Sequence, residues 1–349
     1  MPGSFVISLD FELHWGVRDH RSVADYRENL LGVRHAIPQM LAAFARFNVR
    51  ATWATVGFLF FARKADLLAA LPALRPEYED ATLSPYPELA SIGDSEAADP
   101  FHYGASLLRL IQQTPGQEIA THTFSHYFCL EKGQTLDAFE ADLAAAQLAA
   151  ERFGLGTKPL QSLVFPRNQS NGAYLEACRR AGFVCYRGNQ RSPLYAASDT
   201  LGDKGLVKRG LRLADAYLPL TGLSARSLPE IAAQDPGVPY DVPASRFLRP
   251  YAPRLGFLEP LRMRRIEREM TQAAERGLVY HLWWHPHNFG ANTAENIAAL
   301  ERLLGHFGKL RREHGIESRT MAEVAGQAAV FSATSSSARQ DSPPVNANA

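Results

Sequence analysis

The sequence predicts an α/β fold with a parallel sheet, and three observations carry the prediction. Short apolar runs of strand length alternate with longer stretches in which apolar residues recur at helical spacing. The first of these runs is continuous rather than alternating, as a strand buried on both faces is. Acidic, basic and histidine side chains stand directly after several runs, and the C-terminal ends of parallel strands would gather such groups at one mouth. With 349 residues the chain can bury either one α/β barrel or two modest domains.

Residues 5–9 (FVISL) read as the first strand, followed at once by Asp10-Phe11-Glu12 and then Leu13-His14-Trp15-Gly16. Across 26–47, Leu30, Val33, Ile37, Met40, Leu41, Phe44 and Phe47 keep helical spacing, and Asn48 suits a helix C-cap. A second strand at 51–57 (ATWATVG) completes a βαβ unit, which predicts right-handed crossovers. A helix is expected over 58–71. Residues 72–100 are rich in Pro, Glu and Ser and lack periodicity, so they read as a long inserted loop. Next come a helix at 103–113, a strand at 118–121, and an Ala-rich helix at 135–153 capped by Thr135 and stopped by Gly154. Strands follow at 162–165 and 183–186, with a helix from about 172 to Gly182 between them. The pattern weakens from 187 to about 265, where only 206–213 and 216–220 look extended. A charged helix at 263–276 precedes a strong strand at 278–284 (LVYHLWW), which ends in His285-Pro286-His287-Asn288. A helix at 293–314, with Thr293 as its cap, and a short strand at 316–319 complete the ordered part. From about 331 the composition turns to Ser, Ala, Pro and Asn, which predicts a disordered tail over 331–349.

A formal net charge of +1 gives no global case for a nucleic-acid partner. Three cysteines (Cys129, Cys178, Cys185) are too few and too odd in number for a disulfide framework, which fits a reducing compartment. The N-terminus lacks a basic region, a long apolar core and a cleavage site, and no run reaches the length of a membrane span. The expected location is therefore cytoplasmic, with peripheral membrane contact left open.

The chemistry-bearing residues are Asp10 and Glu12, His122 and His126 in THTFSH, Arg167, and His285. Two carboxylates directly after a buried strand are costly without partners or work to do. Two imidazoles four residues apart can reach one cation if the backbone turns once. An isolated HxxxH is more often a pair of unrelated surface histidines; the carboxylates elsewhere shift that balance.

These segments carry a resemblance. With SLDFE at the first strand, ATWATVG, THTFSH, VFPRNQ and HLWWH in order, the chain resembles the polysaccharide deacetylase family, carbohydrate esterase family 4, from about 5 to 323. The resemblance implies an irregular (β/α)7 barrel: one domain over 1–330, with insertions at about 72–102 and 188–265. It implies a metal-dependent hydrolase in which Asp10 is the general base and His285 the general acid. Glu12, His122 and His126 match the ligands of a divalent metal, zinc by default, with cobalt, nickel or iron fitting the same donors. Such a metal keeps positions open for water and the substrate carbonyl, and an amide nitrogen needs a separate acid to leave. Two departures stand out: Phe11 splits the usual adjacent acid pair, and FPRNQ replaces the usual R-x-P order. Arg167 is thus a displaced counterpart of the arginine that steadies the base, with Asp215 the acid beside it.

His287 rivals His285 as the acid, and His281 reads as a satisfied core histidine. His14, Trp15 and Asn288 are candidate pocket residues, and Trp283 and Trp284 read as packing before a sugar platform. The basic run 246–268 reads as a solvated face or, more sharply, as a phosphate contact through Arg262, Arg264 and Arg265. The functions carried forward are deacylation of an N-acylated amino sugar, free or nucleotide- or lipid-linked, hydrolysis of a cyclic imide or ureide, and non-catalytic carbohydrate binding.

Overall fold

The structure, a computed structural model, describes residues 2–157, 160–196 and 206–340. Its centre is a sheet whose strands are β1 (Ser4–Phe11), β2 (Ala51–Thr55), β3 (Gln117–Thr121), β4 (Ser162–Leu163), β5 (Cys185–Tyr186), β6 (Arg226–Ser227), β7 (Tyr240–Asp241), β8 (Arg246–Phe247), β9 (Leu278–Trp284) and β10 (Glu317–Arg319). The order is β6-β9-β1-β2-β3-β4-β5-β7, with β10 added to β1 and β8 to β9. Every pairing is parallel except β6 on β9.

The sheet curls until its two ends share one stretch of chain. Val242 and Ala244 donate backbone hydrogen bonds to Tyr186 and Gly188 on the β5 side, and Ser245 and Leu248 donate to His281 and Trp283 of β9. The segment holding β7 and β8 is thus the closing stave between β5 and β9. The sequence places this stretch inside an insertion, because two-residue ladders in a proline-studded segment leave no periodic signal.

β1 feeds the two larger hydrophobic clusters. Its residues are buried throughout, and successive side chains point to opposite faces. Val6 clusters with Ala54, Val164, Cys185, Val242 and Val279, one residue from each of several staves. Phe5, Ile7, Leu9 and Phe11 join the larger cluster beneath the surrounding helices. Those helices are α1 (Arg27–Phe47), α2 (Lys64–Leu68), α3 (Ala105–Gln113), α4 (Leu136–Phe153), α5 (Gly172–Arg180), α6 (Leu206–Tyr217), α7 (Leu228–Ala232), α8 (Glu259–Glu275), α9 (Thr293–His314) and α10 (Met321–Gln340). Met321, Val324, Ala325 and Ala328 of α10 join Val6 and its partners, so this helix plugs the end of the barrel opposite Asp10.

Several caps follow their residue types. Thr135 accepts from the Ala138 amide, and Asn48, Gly154 and Gly315 end α1, α4 and α9 in the left-handed region. Other expectations change. Residues 206–213 and the start of 216–220, expected extended, are helical in α6 (Leu206–Tyr217), whose spacing of Leu211, Ala214 and Tyr217 fits a helix face equally well. Residues 58–71 hold a 3-10 turn at Gly57–Phe60 and only the short α2. The N-cap of α9 is Asn292, not Thr293, whose hydroxyl instead donates to the carbonyls of Phe289 and Gly290. α10 continues past 331 to Gln340 where a disordered tail was expected, and 341–349 lie outside the described residues. No helix among the described residues is long and apolar enough to cross a membrane.

Candidate active site at the barrel mouth

Continuing the parity of β1, Ser8, Asp10 and then Glu12 follow Val6 on the inner side, and the last two arrive at the mouth. Both carboxylates are about 3% exposed. The chain turns sharply after Glu12, with Leu13 at φ 49°. At Gly16 a Cβ would fall 1.9–2.4 Å from the Glu12 carboxyl atoms, so only glycine lets this carboxylate pack there.

His122 follows β3 directly, and the 122–126 loop folds back on itself through left-handed Thr123 (φ 63°) and His126 (φ 58°). Such conformations cost non-glycine residues roughly 1–3 kcal/mol each and need outside support. Asp142 of α4 supplies it by accepting from the Phe124 amide (2.6 Å), the Ser125 amide (3.1 Å) and the Ser125 hydroxyl. The HxxxH pair is therefore carried on a strained loop pinned by a buried carboxylate.

The three side chains converge: His122 Nε2 and His126 Nε2 each lie 3.2 Å from Glu12 Oε2. His122 Nδ1 is 2.8 Å from the Val164 carbonyl, which can only accept, so Nδ1 carries the proton and Nε2 presents a lone pair to the cluster. Ligands of a tetrahedral zinc lie about 3.4 Å from one another, given metal–ligand bonds near 2.1 Å. The donor set and its spacing fit a divalent ion. Burial drives His126 down to about 4 and keeps it an unprotonated donor. Burial alone would raise Glu12, but His285, His122 and His126 together hold it well below the usual carboxylate range.

The partner of Asp10 is Arg187, not Arg167. Arg187 donates from Nη1 to Oδ1 and from Nη2 to Oδ2 at 2.7 Å each, and also to Ser8 Oγ (3.0 Å) and Asn168 Oδ1 (3.1 Å). Its guanidinium lies 4.1 Å from the Trp283 ring centre. Burial opposes ionisation of Asp10, but Arg187, with help from His122 and His285, takes its carboxyl below the ordinary value. Arg167 sits on the cavity wall instead, paired with Asp19, 3.7 Å from Glu131 and over the Phe128 ring. Arg167 and Asn168 both adopt left-handed backbone (φ 54°), which directs the Arg167 side chain to the rim while Arg187 reaches inward. Arg187 was detectable in the sequence, since it follows the FVCY run as the other site residues follow theirs.

His285 stands opposite, with Nε2 3.8 Å from Asp10 Oδ2 and 3.6 Å from Glu12 Oε1, and its side chain is one-quarter exposed to the cavity. His287 is buried, stacks on His285 at 5.2 Å and lies 4.0 Å from Glu12 Oε1. Asn288 accepts from the Tyr26 hydroxyl and approaches His285 Nδ1 at 3.4 Å. His281 is a satisfied core residue: Nδ1 donates to the Val242 carbonyl, and Nε2 accepts from Ser8 Oγ. Ser8 in turn accepts from Arg187, so His281, Ser8, Arg187 and Asp10 form one buried chain.

Several expected pocket contacts fall elsewhere, Asn288 among them, which sits behind His285 and off the cavity wall. His14 and Trp15 are buried away from the cavity, against His102. Asp215 accepts from Tyr195, Thr221 and Arg265, and has no contact with Arg167. Arg262 is held by Glu259 and the Arg249 carbonyl, and Arg265 by Asp215 and Glu269, so neither points a free charge outward for a phosphate. The cysteines are buried and unpaired.

Asp10, Glu12, His122, His126 and His285 open into a cavity of about 360 Å³. Asp10 and Glu12 are its only carboxylates among the described residues, whereas Arg167, Arg212, Arg246 and Arg249 all reach its wall.

No family model and no curated protein matches the chain. Solved structures do match in fold. One is a protein described as a polysaccharide deacetylase from Mycobacterium smegmatis, 14% identical, with a TM-score of 0.55 over 100% of this chain and 94% of that one. A GH57-type branching enzyme from Pyrococcus horikoshii is 12% identical, with a TM-score of 0.50 over 93% of this chain and 70% of that one. A CE4-family pseudoenzyme from Bacillus anthracis is 11% identical, with a TM-score of 0.41 over 93% of this chain and 66% of that one. The chain has the irregular (β/α)7 barrel of the polysaccharide deacetylases. A barrel of this shape serves more than one chemistry, so function must be argued from the site.

Proposed function

We propose that the protein is a metal-dependent hydrolase that removes the acyl group from an N-acylated amino sugar. The observation that carries this reading is the Glu12, His122 and His126 cluster, set beside a carboxylate clamped by Arg187 and facing His285. Those three side chains would hold a divalent ion, which would supply a Lewis acid for the amide carbonyl and lower the pKa of the attacking water.

The chain's own groups do the rest. Asp10 is kept ionised by Arg187 and accepts the proton of the attacking water. His285 reaches the same space from the opposite side and donates a proton to the departing nitrogen, without which an amine is a poor leaving group. Asn288, 3.4 Å from His285 Nδ1, orients the ring. Of the arginines on the cavity wall, Arg167 is paired with Asp19 and Arg246 with Glu269, leaving Arg249 placed to meet a substrate phosphate, as on a nucleotide- or lipid-linked sugar.

Glycoside cleavage on this barrel is disfavoured by the same residues. It needs a carboxylic acid kept protonated near neutrality, whereas both carboxylates of the cavity are held below their ordinary values. Cyclic imide or ureide hydrolysis and non-catalytic carbohydrate binding remain the rival readings.

The test is release of acetate or formate from free and nucleotide-linked N-acyl amino sugars by zinc- and cobalt-loaded protein, beside His122→Ala and Asp10→Asn. Turnover of a linear amide, lost in both variants and on chelation, supports the proposal. Turnover of a cyclic imide that survives chelation selects the first rival. Saturable sugar binding without turnover in any metal form selects the second.

A further inference from the structure

A second set of metal-type donors lies outside the cavity, where the 72–102 segment crosses the turn that follows β1. His14 Nδ1, His102 Nε2 and Glu88 Oε1 form a triangle with edges of 3.0, 3.1 and 3.1 Å. Both imidazoles are buried, and the Glu88 side chain is one-quarter exposed.

The partners on the far side of each ring set which nitrogens face the triangle. His14 Nε2 is 3.0 Å from the Arg21 carbonyl, an acceptor only, so the ring's proton sits on Nε2 and Nδ1 is a bare lone pair. His102 Nδ1 lies 2.9 and 2.8 Å from the two oxygens of Asp99, also acceptors, so its proton sits there and Nε2 is bare. Glu88 brings no proton. With both rings neutral, three lone pairs therefore face one another at hydrogen-bond distance. Buried acceptors do not stay so placed unless a proton or a cation lies between them.

The surroundings favour the cation. Asp99 on His102 is the carboxylate–histidine arrangement that orients and strengthens metal-ligating imidazoles. Its own oxygens are fixed by the Gly93 and Phe101 amides. His14 is anchored through its amide to the Phe101 carbonyl, and Trp15 Nε1 donates to the His102 carbonyl. Glu88 and Asp99 bring two negative charges, with Arg18 near the other Glu88 oxygen at 3.7 Å. A proton on His102 Nε2 would also bridge His14 Nδ1 and Glu88, and although burial opposes it, Asp99 and Glu88 raise that ring above its ordinary value; a divalent ion satisfies the same three atoms and draws on both negative charges.

We infer that His14, Glu88 and His102 bind a second divalent cation, zinc by the donor set, which staples the 72–102 segment to the turn carrying Glu12. The ion is structural. Its ligands do not line the cavity, and two of the three come from a segment with little regular structure of its own. It contributes to folding, because a preformed site rarely exists in an unfolded chain.

The test is zinc stoichiometry of the full chain, read by equilibrium dialysis against inorganic zinc. The His122→Ala/His126→Ala double variant removes the cavity site and isolates this one. It is expected to bind one zinc per chain, to melt higher with zinc than without, and to have the 72–102 segment protected from protease by the metal. Adding His102→Gln is expected to abolish all three effects. Asp99→Asn, which keeps every ligand, is expected to weaken zinc about 10–100-fold, and it serves where His102→Gln does not fold. The inference is overturned if the double variant binds no zinc near neutral pH, or binds it as tightly after Asp99→Asn as before. Failure of the cavity site alone reads differently: wild-type protein then binds one zinc that His102→Gln removes and His122→Ala does not.

Discussion

Arg187 and Asp10 meet as a two-pronged pair across the inside of the barrel, Nη1 to Oδ1 and Nη2 to Oδ2, both at 2.7 Å and both buried. Truncating Arg187 to Met leaves a buried carboxylate without its counter-charge, which costs about 3–5 kcal/mol of stability. Lys in its place should recover little, since one ammonium cannot bridge both oxygens. The pH dependence has a definite sign. Asp10 is depressed in the folded state, so the pair's stabilisation is present above the unfolded value of 3.8 and is lost as pH falls below it. Thermal melts of wild type and Arg187→Met should differ most above about pH 4 and converge in stronger acid.

His285→Ala should lower kcat about 10²–10⁴-fold and leave KM nearly unchanged, because the group acts on a proton in flight more than on the bound sugar. The same substitution at His287, buried behind it, should act mainly through stability. Steady-state kinetics with melting curves separate the two, and equal kinetic losses would reassign the acid.

Gly16→Ala tests the packing of Glu12 without replacing a ligand. The added methyl would collide with the carboxyl group at 1.9–2.4 Å, so the carboxylate must move away from His122 and His126. Metal affinity at the cavity should drop about 10–100-fold, in the range of lost supporting contacts elsewhere, with the fold retained by circular dichroism.

Acid sensitivity should begin well above the carboxylate range. Burial pushes both His281 and His287 down to about 3. The unfolded chain therefore binds protons first, and the stability these neutral rings secure above 6.5 is lost as pH falls from there toward about 3. Each ring contributes a slope of about 1.4 kcal/mol per pH unit in that window. Denaturant titrations of His281→Gln against wild type should show the slope reduced by one proton; an unchanged slope would mean the ring is charged in the fold.

The readable and unreadable parts of the site differ by a physical property. Asp10, Glu12 and His285 follow long apolar runs, so burial periodicity announces the strand end and the polar residue after it, while His122 is marked by its spacing from His126. Arg187 obeys the same rule but follows a run of four, next to a region without period, and the proline beside Arg167 draws attention to the wrong guanidinium. β7 and β8 leave no trace because two residues of ladder carry no periodicity. α6 differs from its expected extended form because a short stretch of spaced leucines satisfies both a strand and a helix pattern.

The linear chain settles the class of fold and most of the polar groups at the mouth, because side-chain parity along a strand and spacing along a helix are local properties that burial must respect. Which guanidinium holds Asp10, how the barrel closes, and the meeting of His14, Glu88 and His102 depend on segments 14 to 177 residues apart. Contacts of that separation are set by how the sheet curls and where the insertion lands, and no local pattern of residues encodes either.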